Sequence, residues 1–117
     1  MLLKVLKSKI HRARITETRL HYPGSIEIDS ALMEASGILP YESVLVANLN
    51  NGSRLETYAV PGEAGSGAVV ILGAAAQLAT PGDIVIIMAF GLCAPDEAAT
   101  VEPRVVVVDE KNRIVKP

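Results

Sequence analysis

The chain has 117 residues, half of them apolar, with one Phe, three Tyr, no Trp and a single cysteine, which allows one aliphatic core and no internal disulfide. A formal net charge of −2 removes the sequence-independent attraction that drives nucleic-acid binding, and the longest apolar stretch, Ile84 to Ala94, falls well short of the roughly 20 residues of a membrane helix. No signal-peptide core precedes Lys4, Lys7 and Lys9, so a reduced, cytoplasmic setting is expected, and positive mean hydropathy in so small a chain implies apolar surface hidden between subunits.

From Leu2 to Thr18 the pattern is extended, with Ile10, Arg12, Arg14 and Thr16 on one side and His11, Ala13, Ile15 and Glu17 on the other. Neither face is cleanly apolar, which puts the strand beside a wet site or beneath another subunit. His11 has no second His or acidic residue at metal-ligand spacing, so no metal is expected and a hydrogen-bonded structural histidine is the plain reading. His21-Tyr22-Pro23-Gly24-Ser25 follows. Proline presets φ at the first central position of a turn, and glycine admits the positive φ that a type II turn needs at the second. The Ser25 hydroxyl then lies against the Gly24 carbonyl. It can attack that carbonyl and convert the amide to an ester where neighbouring groups strain the amide and stabilise the oxyanion. An ordinary turn ending in a polar residue is the alternative.

Ile26 to Ile28 reads as a short strand. Asp29 is an N-cap for a helix over Ser30 to Ser36, which Gly37 closes as a left-handed C′ residue. Ser43 to Leu49 is a strand, and Asn50-Asn51-Gly52 predicts a type I′ hairpin. The return strand, Arg54 to Val60, places Arg54, Glu56, Tyr58 and Val60 on one face and Leu55, Thr57 and Ala59 on the other. Arg54 and Tyr58, two pleat repeats apart, suit an anion clamp beside a proton donor; exposed strand residues of these types are also commonplace. Gly62 to Gly67 is a flexible loop without the Lys-Ser/Thr pair of a phosphate-binding loop. Val69 to Leu72 is a buried strand. Gly73-Ala74-Ala75-Ala76 opens a helix ending near Ala79, whose N–H groups can hold a carboxylate or whose small side chains simply allow close packing. Pro81-Gly82-Asp83 turns into the most apolar strand, Ile84 to Phe90. Pro95 to Ala98 is one helical turn, Arg104 to Val108 a strand, Asp109 to Arg113 a hairpin tip, and Ile114-Val115 a terminal strand.

Ala35, Pro40, Glu42, Val44, Leu45 and Val46 recur as Ala76, Pro81, Asp83, Val85, Ile86 and Ile87 at a constant offset of 41. Each copy runs from a short helix through Pro-x-acid into a buried strand. Two such copies suggest related halves of one closed barrel of six or seven strands rather than a solenoid.

Taken together, Lys9-Ile10-His11-Arg12, Leu20 to Ser25, Asn51-Gly52, Arg54, Thr57-Tyr58-Ala59, Gly73 to Ala76 and Gly82 to Ile86 resemble the aspartate 1-decarboxylase family end to end. The resemblance implies a mainly β fold, a six-stranded double-psi β-barrel with short helices, assembled as a homotetramer. It implies self-cleavage at Gly24-Ser25 into a β chain, 1–24, and an α chain, 25–117. Ser25 becomes a pyruvoyl cofactor, which forms a Schiff base with L-aspartate for decarboxylation to β-alanine, a precursor of pantothenate and coenzyme A. Tyr58 matches the proton donor, and Lys9, Arg54, Thr57, Gly73, Ala74 and Ala75 match substrate-binding positions. Thr57 also supports the oxyanion of self-processing, and His11 lines the site. Leu72 stands where many members carry Asn, so one polar contact to the cleavage site or the pyruvoyl is absent, and Ala47 stands where some carry a large aromatic. Cleavage on its own and cleavage helped by a maturation factor both fit.

Two other readings stand beside this one. A non-catalytic or unprocessed double-psi barrel acting as a binding module would follow from the loss at Leu72. A pyruvoyl decarboxylase of another specificity would keep cleavage without the demand for paired cations.

Overall fold

A computed structural model describes residues 1–116, so the last residue of the expected α chain, Pro117, lies outside the described residues. The fold is mainly β. Nine strands form one sheet: β1 (Leu3–Arg14), β2 (Glu17–Arg19), β3 (Ser25–Asp29), β4 (Ser43–Asn48), β5 (Arg54–Gly62), β6 (Val69–Leu72), β7 (Ile84–Cys93), β8 (Arg104–Val108) and β9 (Ile114–Lys116). Three short helices accompany them: α1 (Ser30–Ser36), a 3₁₀ helix (Ala74–Leu78) and α2 (Pro95–Ala98). Among the described residues no helix is long and apolar enough to cross a membrane.

The sheet order is β2-β6-β3-β5-β4-β7-β1-β8-β9, three strands more than the six expected and without a ladder that closes the ring. The chain itself joins the ends. β1 and β2 are separated only by Ile15 and Thr16, whose N–H groups donate to Asp83 O and Val69 O at 2.9 and 2.8 Å. The sheet therefore curls around one core of β-branched and aliphatic side chains, among them Ile10, Ile26, Ile28, Ile71, Val85 and Ile87. This agrees with the small barrel anticipated from the sequence.

α1 begins and ends where its caps dictate. Asp29 accepts from Ala31 N–H, and Gly37 sits at φ 77 with its N–H on Met33 and Glu34 carbonyls. Asp29 is buried, and its carboxylate also accepts from Gly65 N–H at 3.0 Å and Gly67 N–H at 2.9 Å. One carboxylate thus ties the start of α1 to the glycine loop.

Three local expectations are corrected. Gly24 does not adopt positive φ, so Pro23-Gly24 is not a type II turn; the chain turns earlier, at Leu20-His21. The Asn50-Asn51-Gly52 hairpin is not type I′, because only Gly52 is left-handed. Asn48 Oδ1 accepts from Asn50 N–H at 2.8 Å and Gly52 N–H reaches Asn48 O at 2.9 Å, giving a wider loop that the side chain organises. The helix after Gly73 is a five-residue 3₁₀ turn, too short for the summed dipole of an α-helix.

The two halves repeat in atomic detail. Val46 and Ile87, equivalent at the offset of 41, are direct cross-strand partners in the antiparallel pairing of β4 and β7. Leu39 N–H donates to the Glu42 carboxylate and Thr80 N–H to the Asp83 carboxylate, both at 2.9 Å. Tyr41 N–H donates to Ala59 O and Gly82 N–H to Ile15 O, both at 2.7 Å.

Candidate active site

Ser25 opens β3 and is only 5 % exposed. It stands opposite Leu72 of β6 in the antiparallel ladder, while Ile26 pairs with Ala59 of β5 in the parallel one. One step back along that parallel register lies Tyr58. Ile26 and Ala59 point into the core with no exposure, so strand alternation aims Ser25, Leu72 and Tyr58 away from the core on a common face.

Gly24 and Gly73 meet backbone to backbone. Gly73 N–H donates to Arg19 O at 2.8 Å, and Gly73 adopts φ 85, ψ −154, a region essentially reserved for glycine. A Cβ there would lie 2.6 Å from Gly24 Cα, 2.9 Å from Gly24 N and 3.0 Å from Tyr22 O. The two glycines form a cradle in which the Gly24-Ser25 peptide is pressed against the start of the 3₁₀ turn. Ala74 and Ala75 follow directly, and Ala76 N–H is engaged by Gly73 O at 2.9 Å. On the outer side, Arg19 hydrogen-bonds Glu17 and reaches Tyr22 Oη at 3.2 Å, its guanidinium 5.2 Å above the Tyr22 ring.

Arg54 and Tyr58 are exposed on one face of β5, while Thr57 projects half-buried from the other. Lys9 and His11 lie elsewhere. β1 is four positions from β3 in the sheet order. Lys9 pairs with Met88, Met88 with Leu45, and Leu45 with Glu56. A parallel row runs from Arg54 through Ala47 and Ile86 toward the bulge that holds His11 and Arg12. Lys9, His11 and Arg54 thus flank one outward face floored by half-buried aliphatic side chains, and Ser25 faces outward from a different part of the wall. A cavity of about 140 Å³ on that face is lined by Lys4, Ser43, Val44, Leu45, Glu56 and Phe90, not by Ser25.

His11 is not the hydrogen-bonded histidine of the plain reading at both nitrogens: its Nδ1 is buried without a partner among the described residues. Burial first, then the charges of Lys9 and Arg12, hold its pKa below 6.5, so the imidazole is neutral near pH 7. One contact escaped the sequence reading. Tyr41, at φ 67, packs on Tyr58 with ring centroids 6.1 Å apart; its equivalence with Gly82 in the internal repeat signals the left-handed backbone, and nothing in the sequence signals the ring contact.

The family model for aspartate decarboxylase matches residues 1–115. The aspartate 1-decarboxylase of Caldicellulosiruptor saccharolyticus is 57 % identical over 116 residues, covering 99 % of this chain and 91 % of that protein. That of Salinibacter ruber is 55 % identical over 114 residues, 97 % of this chain and 78 % of the relative, and that of Listeria monocytogenes is 53 % identical over 114 residues, 97 % and 90 %. The chain belongs to the aspartate decarboxylase family.

Proposed function

We propose that this chain is a self-processing carboxy-lyase that decarboxylates L-aspartate to β-alanine for pantothenate synthesis in the cytoplasm. The observation that carries the proposal is the cradle: Gly73, in a glycine-only conformation, abuts Gly24 so closely that position 73 can carry no side chain. Such a contact holds the Gly24-Ser25 peptide at a fixed angle to the Ser25 hydroxyl, the preorganisation an intramolecular acyl shift requires. Ser25 Oγ attacks the Gly24 carbonyl carbon, the C–N bond breaks and an ester forms with a free amine on residue 25. Loss of the Cα proton expels the Gly24 carboxylate, and hydrolysis with loss of ammonia leaves a pyruvoyl group at the head of β3.

The residues around Ser25 fit that group, because Gly24, Gly73 and the small Ala74 and Ala75 would leave room for it at the head of β3. Once present, the pyruvoyl supplies an electron sink for the pair left by the departing carboxylate. The chain's own residues do the rest. Tyr58, on the same face as Ser25, delivers a proton to the substrate carbon. Arg54 grips a carboxylate through its planar fork, and Lys9 adds a point charge. Thr57 supports the oxyanion of the cleavage step. Lys9, His11 and Arg54 flank a different part of the wall from Ser25, so a second copy laying its Lys9–Arg54 face over Ser25 and Tyr58 would complete the site, as a homotetramer provides.

The test is the intact mass under denaturing conditions of wild type and Ser25→Ala. Wild type should give a fragment ending at Gly24 and a longer chain blocked at residue 25, and the variant one chain. Leu72 favours slow processing, since an apolar side chain sits beside the serine where a donor would help. A wild-type chain that stays whole after prolonged warming, with and without cell extract as a source of a maturation factor, overturns the proposal and leaves a binding module.

A further inference from the structure

Tyr41 occupies a backbone position that aromatic side chains rarely adopt. Its φ of 67 is left-handed, and for a bulky residue such a conformation is strained and points toward function. The internal repeat shows what the position ordinarily takes. Its equivalent 41 residues on is Gly82, at φ 95, with the same hydrogen bond made at the same 2.7 Å. One half of the barrel uses glycine here, and the other accepts strain to keep a tyrosine.

That tyrosine, itself 75 % exposed, lies against the half-exposed Tyr58. Its ring packs on Tyr58 with centroids 6.1 Å apart at 37°, within the range of favourable aromatic pairs. The contact is pinned from both sides by the backbone, since Tyr41 N–H donates to Ala59 O at 2.7 Å and Ala59 N–H to Glu42 O at 3.0 Å. Ala59 directly follows Tyr58, so the turn bearing one ring is bolted to the strand bearing the other. The Glu42 carboxylate in turn accepts from Leu39 N–H at 2.9 Å and from Lys7 Nζ at 2.7 Å, which anchors the turn to β1. The same brace recurs at Gly82, where Ile15 N–H donates to Asp83 O at 2.9 Å and the Asp83 carboxylate accepts from Thr80 N–H and Asn48 Nδ2, both at 2.9 Å, so what distinguishes the Tyr41 turn is the ring it presents.

We propose that Tyr41 is a positioning residue: its ring restricts Tyr58 to the orientation in which the phenol faces the substrate. The inference rests on the reading of Tyr58 as proton donor. The ring-deleting variant is Tyr41→Asn, because Asn tolerates left-handed φ and relieves the strain rather than unfolding the turn. Tyr41→Phe keeps the ring. Both are compared with wild type in the processed protein carrying 3-fluorotyrosine, with Tyr58→Phe used to assign the Tyr58 fluorine resonance.

Tyr41→Asn should lower kcat about tenfold, in line with the sensitivity of catalysis to misplacement, while KM stays within about twofold and chain cleavage runs at the wild-type rate. The Tyr58 resonance should shift and broaden, and Tyr41→Phe should restore both kcat and resonance. Wild-type kcat in Tyr41→Asn, with Tyr58→Phe inactive, overturns the proposal. If Tyr58→Phe itself keeps full kcat, the proton-donor reading fails separately; an unmoved resonance then overturns positioning as well, and a moved one upholds the brace on the ring.

Discussion

Replacing Gly73 by Ala tests the cradle directly. The added Cβ would lie 2.6 Å from Gly24 Cα, about 0.8 Å inside the 3.4 Å at which ordinary contact begins, and all three of its nearest atoms are backbone. No flexible side chain can absorb the overlap, so residues 22–24 must move away. The φ of 85 and ψ of −154 add strain of about 1–3 kcal/mol for any residue with a side chain. A displacement near 1 Å at a reacting bond costs about 100-fold in rate, and self-cleavage should slow by that factor. The control is Gly67→Ala. Its Cβ would lie 2.8 Å from Lys111 O, at φ 72, which strains the fold at a loop that does not touch Gly24. The assay is a time course of denatured mass after synthesis at low temperature, paired with thermal unfolding. Both variants should lower the melting temperature, and only Gly73→Ala should leave the chain whole. Cleavage of Gly73→Ala at the wild-type rate, or equal slowing of both variants, would refute the role of close approach at Gly24.

Other consequences follow from the same geometry. Leu72→Asn sets an amide beside Ser25 on the shared face and should speed cleavage about tenfold through one added oxyanion donor, read from the same mass time course. Separate inactive variants Lys9→Ala and Ser25→Ala, co-expressed and purified as mixed oligomers, should recover activity, because sites built from two copies then pair an intact Lys9 with an intact Ser25; no recovery would mean that one protomer holds the whole site. Burial raises the pKa of Asp29, but the N–H groups of Gly67, Ala31 and Gly65 and the charge of Arg113 together outweigh it, leaving the carboxyl below 3.8. The stability it contributes is therefore complete above pH 3.8 and is lost as pH falls through its folded value. Asp29→Asn should lose about 2–3 kcal/mol near pH 7 and show a flatter acid limb in denaturant titrations.

What the sequence made legible was local and periodic. Alternation along Arg54 to Val60 sorted Arg54 and Tyr58 from Thr57, and the observed exposure pattern follows it. Asp29 and Gly37 bounded α1 because capping is a contest among neighbouring groups. Turn types failed where distant partners decide. Gly24 reads as a turn glycine, yet its φ is not positive and a Cβ on it would meet only Leu72 O at 3.9 Å; the glycine that the close approach demands is Gly73, some 50 residues away. Asn51-Gly52 reads as type I′, yet the Asn48 side chain claims the loop backbone. Left-handed Tyr41 was illegible to propensity, which assigns such positions to Gly or Asn; only the comparison with Gly82 exposes it. The separation of Lys9 from Ser25 was hidden for a related reason. Nearness in a motif list says nothing of strand order, and β1 and β3 are held apart by β5, β4 and β7.

That strand order also implies that the proposed cut at residue 24 would leave the two segments bound to each other. The segment before the cut supplies β1, which pairs with β7 over nine residue pairs and with β8 over four, and Ile10, Ala13 and Ile15, all at most 1 % exposed. Withdrawing it would expose two ladders and open the core, at about 1.5–3 kcal/mol for each isoleucine alone. Its far end is pinned as well, since Asn112 accepts from Arg14 N–H at 2.8 Å and donates to Arg14 O at 2.9 Å. The segment closest to the bond is held more lightly, by the three pairs of β2 with β6 and one hydrogen bond from Gly73 N–H to Arg19 O. Residue 25, by contrast, heads a strand held on both sides by β5 and β6. Cleavage at Gly24-Ser25 would therefore leave the new group on a strand paired on both sides, where a reactive carbonyl must be held to meet a proton donor in register.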